Sequence, residues 1–384
     1  MKLAIQLAYK NLIGAGLRTW LNVIVLSFAF IIIIFFNALL QGWNNQAKEN
    51  GIAWDYGYGH ILNDNYDPYD AFSIQDGHVV IPENMDNTTP ILVQQGSIYP
   101  DGRMISVILK GIDTNQNILK IPSEKFKNTS ANIPAIIGKH MAESAKLKIG
   151  DEVILRWRDK NGAFDASNIT IIHIFDTTVA SVDIGQIWLP LDKLWEMTNL
   201  KNQATMFVVN KDYQQKNIAN WNFVTQKSLL KDIEDVIATE SISSAVMYLV
   251  FLLIALLAIF DTQVLSIFRR QKEIGTYVAL GMTRPKVVKL FTIEGTMYSI
   301  FAIVIGAIYG IPIFMYFNKS GIAMPEFAGS MGIGLDKAIF PFYDPTIILI
   351  TVLFIILASA IVSYLPARKI TRMNPVLALK GKLQ

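Results

Sequence analysis

Residues 268–291 read FRRQKEIGTYVALGMTRPKVVKLF. Six cations, Arg269, Arg270, Lys272, Arg284, Lys286 and Lys289, stand there against one acid, Glu273. The centre, YVALGM, is apolar, and membrane-like sequence lies on both sides. Cations at this density can bind phosphates or fix the inner face of a membrane protein. A nucleic-acid reader would need longer basic loops or tails, so no nucleic acid is expected as a partner. An apolar tip flanked by charge marks a protein contact. On this reading a helix runs to Ala279, Gly281 breaks it, and Pro285 opens the next one. A partner docked on Thr276, Tyr277, Val278, Ala279, Leu280 and Met282 would push directly on the apolar segments either side.

Asp261 and Glu294 are ionisable residues in otherwise apolar runs. Each falls within about two helical turns of the basic stretch, where snorkelling and pairing with Arg or Lys are cheap. A proton relay is the sharper alternative. Other chemistry is missing. His60, His78, His140 and His173 lack metal-ligand spacing, and no metal is expected. The chain has no G-x-x-x-x-G-K-[ST], G-x-S-x-G or H-E-x-x-H. It has no cysteine, which removes disulfides, thiol catalysis and thiolate metal sites together. No catalytic or cofactor-binding residue is expected.

The elements that must carry the basic stretch follow from composition. Of 384 residues, 52% are hydrophobic and 17% charged, too apolar for an ordinary soluble protein. A bilayer core about 30 Å thick takes about 20 apolar helical residues. Residues 21–40, 245–268, 290–317 and 346–365 qualify. The first run is longer than a signal-peptide core, and no small-residue cleavage site follows it. Three short pieces hold most of the basic excess. They are Lys2, Lys10 and Arg18, then the stretch 269–289, then Arg368, Lys369, Arg372, Lys380 and Lys382. Together they have 14 basic residues against one acid, which places them, and both termini, in the cytoplasm.

About 200 residues, 42–242, separate the first apolar run from the second. They have the charge and turn content of a folded domain. Strand-like runs are GHVVIP, RMISVILKGID, DEVILRW, NITIIHIF and QIWLPL. Helices are expected at 138–147 and from Pro190 onward. The fold class is therefore an α-helical membrane protein with four transmembrane helices and a large α+β extracytoplasmic (periplasmic) domain between helices one and two. The expected divisions are 1–42, 43–242 and 243–384. QGWNNQAKENG and TQKSLLKDIEDVIATESISS contain no Pro, so both are expected to extend the first two spans outward as helical stalks. The first seventeen residues suit a helix in the cytoplasmic interface, with Lys2, Gln6 and Lys10 on one stripe. In the third span Gly295, Ser299, Ala302, Gly306 and Gly310 form a small-residue stripe for helix packing. Matched discontinuous spans, the mark of many secondary transporters, are missing.

The stretch RRQKEIGTYVALGMTRPKVVKLFTIEG resembles the connector between spans two and three in ABC-transporter permeases of the MacB, LolCE and FtsX type. That family shows R-x-x-E-I-G-x-x-x-A-L-G-M/A and then a Glu-Gly pair, here Glu294-Gly295. LAYKNLIGAGLRTWLNV near the start and YLPARKITRMNPVLALKG at the end resemble family segments too. The outer segments GKHMAESAKLKIGDEVIL and LKGID are similar less specifically. The resemblance implies a coupling helix, with Glu273, Ile274, Gly275, Ala279, Leu280, Gly281 and Met282 contacting a separate ATPase. It implies two permeases, the same chain or a paralogue, with an ATPase dimer that binds ATP and magnesium. Motion of stalks and outer domain would be driven by ATP, a process called mechanotransmission. The size of the outer domain resembles that of MacB and LolCE more than that of FtsX. A separate ATPase, with an α+β outer domain able to receive a periplasmic carrier or adaptor, fits an inner-membrane LolC/LolE-like permease acting on a lipoprotein or other amphiphile. MacB-like efflux or toxin and peptide export, and FtsX-like division signalling, are the alternatives. A carrier-recruiting hook has no residue match here; residues 177–186 would be its place. A ligand sensor would need a cytoplasmic output domain, and a passive scaffold is the other non-transport class.

Overall fold

The computed structural model describes residues 16–323 and 338–372. The interfacial helix expected over the first seventeen residues, and the end of the basic tail, lie outside the described residues. The described chain divides into a helical unit, residues 16–43, 238–322 and 340–372, and an α+β unit built mainly from 44–237.

Among the described residues, four helices are long and apolar enough to cross a membrane. They are α1 (Leu17–Gly51), α2 (Lys231–Arg269), α4 (Arg284–Ser320) and α5 (Pro345–Ala367), with the short α3 (Gln271–Ala279) between α2 and α4. At 1.5 Å per residue α1 is about 52 Å long, well beyond the bilayer core. It is unbroken to Gly51, and α2 begins at Lys231, so the expected stalk segments are helical over 41–51 and 231–244, while Thr225 ends a strand and 226–229 form a separate short helix. Within the α+β unit Lys48 Nζ lies 2.7 Å from Glu234 Oε1, and the Tyr69 hydroxyl donates to Asp232 at 2.9 Å. The ion pair is half-exposed, a contribution of about 0–1 kcal/mol. Asp344 caps α5 by accepting from the Thr346 N–H at 2.8 Å. Val23, Leu26, Phe30, Ala255, Ile259, Tyr298, Ala302 and Ile355 form the helical core. Leu253, Leu257, Leu353 and Phe354 are exposed, as suits lipid-facing positions.

The α+β unit begins with β1 (Gly59–Asn63), β2 (Val79–Val80), β3 (Thr88–Ile98), β4 (Ile105–Ile112), β5 (Pro134–Gly138) and β6 (Glu152–Arg158). There follow β7 (Phe164–Phe175), β8 (Gln186–Pro190), β9 (Gln203–Ala204), β10 (Met206–Val209) and β11 (Trp221–Thr225). Nine strands pair in the order β11-β1-β10-β3-β4-β8-β5-β7-β6. Residues 96–98 of β3 also pair with 155–157 of β6, closing six strands into a ring. The β4–β8 and β5–β7 pairs are parallel. On β6, Val153, Leu155 and Trp157 are buried while Glu152, Ile154, Arg156 and Arg158 are exposed, the two-residue period of a half-buried strand. One core cluster takes Leu92, Leu109, Ile137, Leu155, Ile171 and Leu189, one from each ring strand. Each such side chain stabilises the fold by about 1.5–3 kcal/mol. The opposite strand faces carry Ile91, Val93, Ile112, Ile136 and Trp188 into a second cluster.

Two helices were expected near 138–147 and after Pro190; they are Lys139–Ala145 and Leu191–Thr198. Pro190 itself ends β8 and sits one residue before the helix. Gly138 gives the first helix no side-chain cap, so Asp183 supplies one from afar, accepting from the N–H groups of His140 and Met141 at 3.0 Å each. Of the segment 177–186, Thr177, Val179, Val182 and Asp183 are buried.

Where α1 gives way to a π-helical turn, Ile52–Tyr56, a polar cluster lies inside the α+β unit. His60 Nε2 is 3.0 Å from the Asp55 carbonyl oxygen, and Ser181 Oγ donates to the Asp55 carboxylate at 2.5 Å. Lys110 Nζ donates to the Ser181 carbonyl at 3.0 Å. Burial pushes the His60 imidazole below its usual range, against the pull of Asp55 and together with repulsion from Lys110. The unfolded chain therefore binds the extra proton first as pH falls below about 6.5, and stability drops on the acid side. One proton limits this slope to about 1.4 kcal/mol per pH unit. His60→Gln is expected to flatten the loss between pH 6.5 and 5, followed by tryptophan fluorescence of the full chain in detergent. Equal acid slopes in both proteins would overturn the assignment.

Candidate functional site

The stretch singled out in the sequence folds as a hairpin of α3 and the start of α4. α2 ends at Arg269, and Arg270 breaks the helix with φ −101° and ψ 20°. α3 stops at Ala279, and Gly281 follows at φ +93°, a conformation that favours glycine. The Gly281 N–H donates to the Val278 carbonyl at 3.1 Å and the Met282 N–H to the Tyr277 carbonyl at 3.0 Å. These are the two bonds of a Schellman closure. Thr283 precedes α4, with Pro285 in its first turn.

The turn leaves Leu280 81% exposed at the tip. Glu273, Ala279 and Gly281 are exposed as well, and Met282 is half-buried. Ile274 and Gly275 are not part of that surface. Both are buried, and Ile274 joins Ile267, Val287, Phe291, Ala367 and Ile370 in a core cluster of the helical unit. α3 folds back and uses this face to pack on its own spans.

An ion network fixes the base of the hairpin. Arg270 Nη1 lies 2.8 Å from both carboxylate oxygens of Glu294, and Arg270 Nε is 2.7 Å from Glu273 Oε2. The Glu294 side chain is 5% exposed and that of Arg270 17%, so the pair is largely desolvated. The guanidinium also sits 4.9 Å from the centre of the Phe291 ring. One side chain thus ties α3 to α4. The structure separates the two intramembrane acids: Glu294 is buried against Arg270, whereas Asp261 is exposed on α2. His60, His78, His140 and His173 are dispersed; His78 meets Gln203 and His140 meets Asp183, each at 2.7 Å. Among the described residues no three acidic or histidine side chains could hold a metal ion.

The family model for the FtsX-like permease C-terminal matches residues 245–375, which contain the hairpin and three of the spans. The macrolide export ATP-binding/permease protein MacB of Escherichia coli is 25% identical over 224 residues, covering 58% of this chain. An ABC transporter permease of Methanocaldococcus jannaschii is 24% identical over 163 residues, 42% of this chain and 38% of its own. Residues 245–375 are an FtsX-like permease domain, and the chain is similar to MacB-type permeases. The permease spans only about one third of the length of MacB, 32%. Among solved structures, the extracellular domain of the transporter YknZ from Gram-positive bacteria aligns at 12% identity. That alignment has a TM-score of 0.25 and covers 40% of this chain and 83% of that one.

In the permease the small-residue stripe of α4 is buried at all five positions, Gly295, Ser299, Ala302, Gly306 and Gly310. A Cβ on Gly295 would collide with Ser363 Oγ of α5, and one on Gly310 with Ile31 of α1. At Gly306 the nearest Ile31 atoms would lie 3.6 Å away, ordinary contact. The stripe therefore faces α5 near the hairpin and α1 further along. Sequence reasoning missed Arg270 as the partner of Glu294. Its signal was present, an arginine at the break between α2 and α3, but 24 residues of separation hid the pairing.

Proposed function

We propose that this chain is the permease subunit of an ATP-driven machine that extracts a lipoprotein or another amphiphile from the outer leaflet of the inner membrane. The observation that carries the reading is the hairpin. It is a rigidly closed apolar tip at Leu280, joined without a linker to two apolar helices. A separate ATPase dimer docks there, binds ATP and magnesium, and its closure moves α2 and α4. Exposed apolar faces on α2, α4 and α5 suit a second permease, the same chain or a paralogue, with lipid around the pair. The basic hairpin lies in the cytoplasm and residues 44–237 outside, where a carrier or adaptor meets the released molecule. The chain itself has no catalytic role in this scheme.

Energy supports the need for ATP. Each buried methylene holds an acyl chain in the bilayer by about 0.8 kcal/mol, so extraction needs an external source. Depletion of the permease is expected to leave mature lipoproteins in the inner membrane, measured by membrane fractionation. Normal lipoprotein sorting with raised sensitivity to amphiphilic toxins would sink this reading and favour MacB-like export. Cell chaining with neither defect would favour FtsX-like division signalling.

A further inference from the structure

We propose that the α+β unit carries a groove that binds an extended, acidic peptide segment. This stands on the unit's own geometry and holds whatever the permease transports. β3 changes partner part-way along one edge: residues 88–91 pair with β10 and residues 96–98 with β6. Val93 N–H is taken by Thr205 Oγ1 at 3.0 Å, but Gln94 and Gln95, paired with β4 on the other edge, pair with neither β10 nor β6. A groove of about 710 Å3 opens there, lined in part by Gln94, Gln95, Arg156, Arg158, Phe164 and Gln186. That volume suits a short chain segment, and it is within the usual range for ligand sites.

The polar groups at the groove are complementary to a peptide. Gln94 is 8% exposed, and its Nε2 has no acceptor. Gln186 Oε1 has no donor. By register Gln186 shares a sheet face with Gln95, Ile108 and Arg156, whereas Gln94 lies on the other face with Leu109 at the gap between β10 and β6, so each offers a peptide a separate polar group. The charge comes from β6. Arg156 sits 4.0 Å from the centre of the exposed Phe164 ring and Arg158 5.4 Å, so one aromatic side chain holds two guanidiniums. Stacking occupies the flat faces of the guanidiniums and leaves their N–H edges for a carboxylate. Neither arginine has a carboxylate partner among the described residues; Arg158 meets only the Gly162 carbonyl and Gln75 Oε1, at 3.3 and 3.4 Å. Asp159 accepts from the N–H groups of Asn161 and Ala163, and with Asp76 it makes two acids at the groove against three cations, Arg156, Arg158 and Lys160. A neutral glycan would need the ring face that Arg156 covers.

The test uses the full chain in nanodiscs and fluorescence anisotropy of labelled pentapeptides, one alternating glutamate with glycine and one lysine with glycine. The glutamate peptide is expected to bind, more weakly as salt rises. Arg156→Gln combined with Arg158→Gln is expected to weaken it at least about tenfold. Both arginines are exposed, so this variant should keep the unfolding midpoint of the parent. Gln94→Leu is expected to weaken binding by about fivefold without changing the salt dependence. No binding, equal binding of the lysine peptide, or an unchanged double-arginine variant would overturn the proposal. So would full displacement by a tenfold excess of inorganic phosphate, which would reduce the groove to a simple anion site.

Discussion

Arg270→Ala is expected to destabilise the helical unit by about 3–5 kcal/mol, the usual result of removing one partner from a buried ion pair. Glu294 would keep its burial and lose two 2.8 Å contacts, while Glu273 would lose its 2.7 Å contact. The loss comes mostly from leaving a buried carboxylate without its guanidinium, not from the intrinsic value of the pair. Arg270→Met combined with Glu294→Leu should therefore recover most of it, because an apolar pair of similar volume needs no counter-charge. Arg270→Lys should fall between, since a lysine ammonium cannot fork to both oxygens of Glu294 and still reach Glu273. Thermal unfolding in detergent, followed by tryptophan fluorescence, ranks the four proteins. A single Arg270→Ala protein that melts with the parent, or a double variant no better than the single, would refute the account.

Leu280→Asp is expected to reduce recovery of the ATPase with the permease by at least about tenfold, on the reading that the hairpin docks that subunit. The aspartate would replace an apolar contact with a charge that must be desolvated. Leu280→Ala should weaken the complex less. The position is well suited to the test because Leu280 is 81% exposed, so the fold of the free permease has little stake in it. Met282 is a poorer probe: it packs against the cluster around Phe291, and a charge there would disturb the hairpin itself. Co-purification of the ATPase at parental yield with Leu280→Asp would remove the hairpin as the docking site.

The spans could be read from sequence because twenty uncharged apolar residues in a row have few other solutions. The same holds for β4, β6, β7 and β8, where β-branched residues alternate or run together between Gly, Asp and Pro. β3 was not legible. TTPILVQQGSI carries Pro90, Gly96 and two glutamines, a poor strand by composition. It forms because β4, β6 and β10 all pair with it, and that support comes from residues up to about 120 positions away. The ring closure was hidden for the same reason, and the groove lies where β3 changes partner. In the hairpin the break at Gly281 and the opening at Pro285 followed from local chemistry. Which face of α3 turns inward did not. Ile274 and Gly275 belong to a motif, and a motif does not say which of its members hold the fold together and which meet a partner.

The Schellman turn at Gly281 uses only main-chain groups and a glycine, so the residue in front of it is decoupled from the geometry that displays it. Leu280 can be exchanged for another side chain while the hairpin keeps its shape. A cell that holds several permeases of this type could keep one backbone scaffold in all of them and vary a single letter at the tip. Gene duplication would then need few substitutions to insulate one complex from another, and mispairing between sister systems would be settled at that position before any change in the spans.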